Sequence, residues 1–182
     1  MIYSLSLEDA LLLTGGLLVI LHLPPLLAES GTQRWLKAFP RSGNWGVFLY
    51  TVAAAWFAWL VASTDLGEFT SMRRNFVLAS FAAYVLGMRF MREFLAVRAL
   101  GMLALLGAEP LLEAAWMRPE VSRLWMVTLV YGWVVAGLFL VGMPYLMRDA
   151  IDWVTANPWR WKAASYAGVG YGLWLVGVRF SL

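Results

Sequence analysis

Three ionisable residues fall on one helical face inside an otherwise apolar stretch, and they are the strongest candidates for chemistry in this sequence. At 100° per residue, Glu109 lies about 20° and Glu113 about 60° around a helix from Arg98. An ionised group that faces lipid costs several kcal/mol, so this stripe should face a bundle interior or a wet cavity. The pattern predicts a polar pathway or a contact for an anionic solute. The alternative places Arg98 at one membrane surface and both glutamates at the other.

Two smaller constellations could also carry chemistry. His22 stands close to Pro24 and Pro25, whose missing amide hydrogens should kink or end the first helix near His22. The histidine could belong to the polar pathway or substrate contact as a proton relay. It could instead serve helix packing or ligate the cofactor of another protein. Asp149 and Asp152 are three residues apart, a spacing at which two carboxylates can hold a divalent cation under a lipid phosphate. The same two aspartates could instead form the solvated face of a surface helix.

Motifs for the common catalytic mechanisms are absent from the sequence. It contains no Gly-x-Ser-x-Gly nucleophile motif, no phosphate-binding glycine-rich loop with lysine and no His-Glu-x-x-His. With no cysteine and one histidine, thiol chemistry and multi-histidine metal sites are excluded. We therefore expect no catalytic residue, no metal and no cofactor, although a lipid-modifying enzyme stays an alternative.

The composition indicates a protein whose surface meets lipid. Hydrophobic residues make up 62% of the 182 residues and charged residues 14%, against about 45–50% and about 25% in soluble domains. The 11 tryptophans suit a bilayer interface. The net charge of +3 is explained by arginines and lysines beside anionic headgroups, so we expect the bilayer as a partner and no nucleic acid.

The apolar pattern predicts one all-α transmembrane domain over residues 1–182, a bundle of about six spanning helices, or five if the charged fourth span does not cross. A short amphipathic helix at the interface, residues 146–162, should precede the last span. The predicted spans are residues 10–28, 45–63, 74–91, 94–116, 124–145 and 163–180. Residues 29–44 should form a polar connection between the first two spans.

The charged stretch 88–98 predicts a reversal of the chain at a membrane surface. It contains the cluster Arg89, Arg92 and Glu93 between two apolar runs. A single straight helix over residues 74–116 would be roughly 65 Å long, about twice the hydrocarbon thickness of a bilayer. A hairpin between two spans accounts for the charges better.

Lysine and arginine divide unevenly between the two sides of a six-span bundle. Nine lie in the first, third and fifth connections and five on the opposite side. The excess predicts that the nine face the cytoplasm, which places both termini on the non-cytoplasmic side of the plasma or inner membrane.

Three functions follow as hypotheses. The first is a non-catalytic subunit or scaffold that packs against partner helices or self-associates, with Gly168 and Gly172 forming a small-xxx-small packing face. The second is a component of a small-solute or ion transporter or channel that uses Arg98, Glu109 and Glu113. The third is the lipid-modifying enzyme.

Overall fold

The computed structural model describes residues 3–180, and no strand occurs among them. The all-α prediction is therefore confirmed. Two short 3-10 turns, Phe39–Arg41 and Gly67–Met72, join longer elements. The α-helices are α1 Leu7–Leu27, α2 Glu29–Ala38, α3 Gly43–Ser63, α4 Arg73–Phe90, α5 Leu95–Ala115, α6 Arg123–Gly142, α7 Tyr145–Thr155 and α8 Pro158–Arg179.

Four of these helices, α1, α3, α5 and α6, are long and apolar enough to cross a membrane. The predicted third and sixth spans form α4 and α8, helices of 18 and 22 residues that are less apolar. Three arginines lie within α4, while α8 is rich in glycine and carries three cations. The structure thus supports a membrane-embedded helical bundle with four clear candidate spans.

Polar caps fix where several helices begin. The Ser6 hydroxyl accepts a hydrogen bond from the backbone N–H of Asp9 at 3.1 Å, and α1 begins one residue after Ser6. At its other end α1 does not stop at His22. The diproline lies in the last turn, the helix continues to Leu27, and the chain turns at Ala28.

Two connecting segments differ from the sequence-based expectation. Residues 29–44, expected as a polar connection, begin with the helix α2. Residues 146–162, expected as one amphipathic helix, divide between α7 and the start of α8. The division falls at Asn157, whose Oδ1 accepts from the N–H of Trp159 at 2.8 Å. Pro158 then suits the first position of a helix, so α8 begins five residues earlier than residue 163.

A pair of glycines brings α1 and α8 together as antiparallel helices. A Cβ added at Gly15 would lie 2.6 Å from the carbonyl oxygen of Gly172, and one added at Gly172 would lie 2.7 Å from that of Gly15. No side chain fits at either position. The two backbones therefore touch, which is how helices gain packing energy where lipid removes the hydrophobic drive.

The same arrangement recurs between α5 and α6. A Cβ added at Gly101 would lie 2.8 Å from the carbonyl oxygen of Gly137, and one added at Gly137 would lie 3.0 Å from that of Gly101. The core cluster between these four helices contains the fully buried Leu11, Met126 and Leu175. Large apolar side chains elsewhere, such as Phe81 at 66% exposure, point outward.

The third and fourth helices extend this core on one side. A Cβ added at Gly46 of α3 would lie 3.0 Å from the backbone nitrogen of Ala96 at the start of α5. On its other side α3 packs against α4, where the Tyr50 ring fills the space beside Gly87. Helix directions alternate along the chain among the six long helices, so α1, α4 and α6 begin at one end of the bundle and α3, α5 and α8 at the other.

The glycine contact between α1 and α8 gives a matched test. Gly15→Ala should lower the free energy of unfolding by about 1–3 kcal/mol, because the added methyl overlaps a backbone carbonyl. Gly16→Ala is the control, since a Cβ at Gly16 meets nothing within 4 Å. The midpoint of thermal unfolding of the purified protein in mild detergent measures both. Equal midpoints for the two variants would contradict the packing.

Candidate functional site

Arg98 forms a hydrogen bond to the end of a neighbouring helix. It lies in the first turn of α5, and its Nη1 donates a hydrogen bond of 2.6 Å to the carbonyl of Val141, in the last turn of α6. The last four carbonyls of a helix have no partner within that helix, and they carry the negative end of its dipole. A guanidinium satisfies both needs at once. The half-buried Arg98 is thus a capping group for α6 in this structure.

Arg123 forms the reciprocal contact. It is the first residue of α6, and its Nη1 donates to the carbonyl of Ala115, the last residue of α5, at 2.7 Å. Each of these antiparallel helices therefore provides an arginine that caps the other. The guanidinium bonds stabilise both ends of a pair whose middle is fixed by Gly101 and Gly137.

Arg73 and Arg160 repeat the pattern elsewhere. Arg73, the first residue of α4, donates to the carbonyls of Ala62 and Thr64 at the end of α3. Arg160, in the first turn of α8, donates to the carbonyl of Trp153 near the end of α7 at 3.3 Å, and its guanidinium lies 4.4 Å from that ring. We call Arg73, Arg98, Arg123 and Arg160 the capping arginines.

Sequence reasoning missed this role, but the sequence contains a signal for it. An arginine in the first turn of a helix faces the positive end of its own dipole, which is unfavourable. Its presence there indicates a stronger partner elsewhere. For Arg73, Arg123 and Arg160 a short connection brings the end of the preceding helix within reach. Arg98 instead reaches the end of α6, which follows α5 in the chain.

The structure does not bring the predicted stripe together into one site. Glu109 is exposed and Glu113 is half-buried, near the opposite end of α5 from Arg98. The glutamates lie about 16 Å and about 22 Å from Arg98 along the helix axis. Within residues 3–180 neither glutamate forms an ion pair. A polar pathway along this stripe stays a prediction.

Asp149 and Asp152 lie on exposed positions of α7. Asp149 forms an ion pair of 2.8 Å with its neighbour Arg148, and the two side chains are 52% and 46% exposed. Over the described part of the chain, no three or more histidine, aspartate or glutamate side chains are grouped as a metal site would require. Among the described residues, Asp149 and Asp152 therefore have no third carboxylate or histidine beside them to complete a cation site.

His22 lies in a notch of α8. A Cβ added at Gly168 would lie 2.2 Å from Cγ of the imidazole, so the glycine makes room for the ring. The Nδ1 atom lies 2.9 Å from the carbonyl oxygen of Leu18, which only accepts, so Nδ1 carries a proton. Gly168 and Gly172 both face α1, and His22 contributes to that helix contact.

Arg89, Arg92 and Glu93 are exposed around the turn that joins α4 to α5. Phe94 adopts the left-handed conformation with φ of 55°, and the chain reverses there, within the predicted stretch 88–98. Although this turn joins α4 directly to α5, α4 packs mainly on α3 and not on α5.

The separation of α4 from α5 leaves an apolar groove, which we call the α3–α4 groove. One part of the groove, with a volume of about 300 Å³, lies between α3, α4 and α5. A second hollow of about 360 Å³ continues the groove along α3 and α4. The two parts share Phe57, Ser80 and Ala83. Small side chains form much of the wall, namely Ala53, Ala54, Ala79, Ser80 and Ala83.

Two tyrosines close one end of the groove without making it polar. Tyr50 and Tyr84 stack with ring centroids 5.5 Å apart. The Tyr50 hydroxyl donates to the carbonyl of Ala83 at 3.2 Å, and the Tyr84 hydroxyl lies 3.0 Å from the Thr51 hydroxyl. Because both hydroxyls have partners within the protein, the groove offers an apolar surface to whatever enters it.

Comparison of the chain with protein-family models, with curated proteins and with solved structures finds no match.

The capping contact of Arg98 can be tested against an exposed neighbour. Arg98→Met should lower the free energy of unfolding by about 1.5–3 kcal/mol, the usual contribution of a hydrogen bond to a charged group. Arg89→Met should change it little, since Arg89 is exposed. Thermal unfolding in detergent gives the comparison. A fully stable Arg98→Met protein would show that the guanidinium does not cap α6.

Proposed function

We propose that this chain is a non-catalytic subunit of a membrane complex, with six spanning helices and one partner helix bound in the α3–α4 groove. The observation that carries the proposal is the α3–α4 groove itself. It is apolar, it is lined largely by small residues, and one of its walls is α4, a helix that packs mainly on α3.

Contacts at several levels support α8 as a span beside α1. Gly172 meets Gly15, and Gly168 meets His22. Nearer the start of α8, the Trp161 ring nitrogen donates to the carbonyl of Pro25 at 3.0 Å. A helix that runs antiparallel to a spanning helix at all these levels crosses the same layer. At 22 residues α8 is about 33 Å long, close to the hydrocarbon thickness of about 30 Å.

The contacts of α4 support the same conclusion beside α3. Arg73 reaches the end of α3 at Ala62, and Gly87 meets Tyr50 near its beginning. Its 18 residues extend about 27 Å, and its terminal arginines can extend their side chains toward the headgroups. These contacts support a bundle with six crossings.

The small residues that line the α3–α4 groove favour a helix as its occupant. Alanine and serine on α3 and α4 let another backbone come close, and close packing drives helix association in lipid. Most of the groove residues lie in the middle parts of α3, α4 and α5, which a spanning bundle places at hydrocarbon depth. Leu66 and Phe76 lie at the end where α4 begins. We therefore propose an apolar transmembrane helix of a partner subunit, inserting large aliphatic side chains beside Ala54 and Ala83.

The charges set the orientation. With alternating helix directions, the end where α1 begins carries five cations and seven acids, a net charge of −2. The opposite end, which we call the basic end, carries four acids and nine cations, a net charge of +5. Its cations are Arg34, Lys37, Arg41, Arg89, Arg92, Arg98, Arg148, Arg160 and Lys162. Arginine and lysine favour the cytoplasmic side, so both termini face outward from the cell (plasma or inner) membrane.

The groove is tested by filling it. Ala83→Leu should remove a partner that copurifies in fixed ratio with the tagged chain from native membranes in mild detergent, since the added side chain occupies the groove. Ala82→Leu is the matched control, because Ala82 lies on the same helix outside the groove. Both variants should elute as monodisperse protein.

A photo-crosslinking residue at Ser80 identifies the occupant directly. The expected product is one protein adduct of constant mass, which is lost in the Ala83→Leu background. Adducts with lipid alone would show that an acyl chain fills the groove and would overturn the partner helix.

The topology is tested with single cysteines, because the sequence has none of its own. Glu68→Cys and Arg118→Cys should react with a membrane-impermeant maleimide in intact cells. Lys37→Cys and Glu93→Cys should react only after the membrane is permeabilised. If α4 does not cross, Glu93→Cys will instead react on the same side as Glu68→Cys.

A further inference from the structure

Two amphipathic helices lie together at the basic end of the bundle without burying any of their residues. No residue of α2 or α7 is buried, although the two helices contact each other. Each has apolar side chains on one face and charged side chains on the other, the pattern of helices that lie in a membrane interface. We call α2, the turn Phe39–Arg41, α7 and the first turn of α8 the interfacial platform.

The platform contains three exposed indole rings. Trp35 is 48% exposed, Trp153 is 59% exposed and Trp159 is 76% exposed. Trp35 also lies against the ring of Phe39, at 5.3 Å, and that of Trp45, at 6.0 Å, which fixes the corner between α2 and α3. Tryptophan favours the headgroup layer, because its ring is apolar and its N–H needs a polar partner.

The platform also has cations that are not neutralised by acids within the protein. Arg34, Lys37 and Arg41 are exposed, and within residues 3–180 none of them forms an ion pair. Arg148 differs, since it is paired with Asp149. The exposed cations without an acidic partner therefore cluster on α2 and the turn that follows it, while Arg160 lies against the Trp153 ring.

From these features we infer that the interfacial platform binds the headgroups of anionic phospholipids. The tryptophans set the depth of the platform in the interface, while Arg34, Lys37 and Arg41 contact lipid phosphates and acidic headgroups. Each cation near an anionic surface strengthens binding about fivefold. This inference does not depend on the partner helix, because the platform and the α3–α4 groove lie on different parts of the bundle.

The full-length protein in detergent allows a direct test by native mass spectrometry. Titration with phosphatidylglycerol should show affinity at least about tenfold higher than titration with phosphatidylcholine. The variant Arg34→Gln/Arg41→Gln should lose about tenfold to thirtyfold in affinity for phosphatidylglycerol, with binding of phosphatidylcholine unchanged. The matched control is Arg74→Gln/Arg118→Gln, which removes two exposed arginines from the opposite end and should leave both affinities unchanged.

Two further measurements on the unaltered protein keep the test independent of how the variants fold. Raising the ionic strength should weaken phosphatidylglycerol binding, because exposed charges are screened within about 10 Å at 0.1 M salt. Inorganic phosphate at millimolar concentration should not displace the lipid, since it lacks an acyl chain to anchor it. No preference for the anionic lipid, equal losses in both double variants, or displacement by free phosphate would overturn the inference.

Discussion

Direct contact between helix backbones at two glycine pairs is the constraint on which the rest of this structure depends. In lipid, burying an apolar side chain between helices gains little, because acyl chains are equally apolar, so association depends on close packing. Gly15 with Gly172 and Gly101 with Gly137 allow α1 to meet α8 and α5 to meet α6 with carbonyl oxygens facing glycine Cα atoms. Such contacts also permit weak Cα–H hydrogen bonds. The helix pairs α1–α8 and α5–α6 enclose the core, and α3 and α4 pack outside it.

Close packing at the centre leaves the helix ends to be satisfied separately, and the capping arginines do this. A terminal carbonyl that is neither hydrated nor bonded is costly in an apolar environment. Arg98 and Arg123 each donate to the last turn of the antiparallel neighbour, so the α5–α6 pair is bonded at both ends. The charge of Arg98, which suggests chemistry in a linear sequence, caps a helix in this structure. The glutamates of α5 lie about 16 Å and about 22 Å from it along the helix axis.

The helix contacts leave two surfaces exposed, the α3–α4 groove and the interfacial platform, and the proposed functions concern these two surfaces. Because α4 packs on α3 and not on α5, a groove with small side chains stays open along the bundle. Because α2 and α7 lie across the basic end without burying any residue, their tryptophans and cations remain available to the interface. The proposals assign a partner helix to the first surface and anionic lipid to the second.

The sequence by itself determined the all-helical class, the apolar stretches and the reversal within residues 88–98, because these follow from local composition and helical period. It also indicated Gly168 and Gly172 as packing positions. Only the tertiary structure decided that Gly172 meets Gly15, that Arg98 bonds Val141 and that α4 leaves α5. These contacts join residues far apart in the chain. A hydrophobic period shows which face of a helix is apolar but not which neighbour that face meets, since lipid and another helix are equally apolar partners.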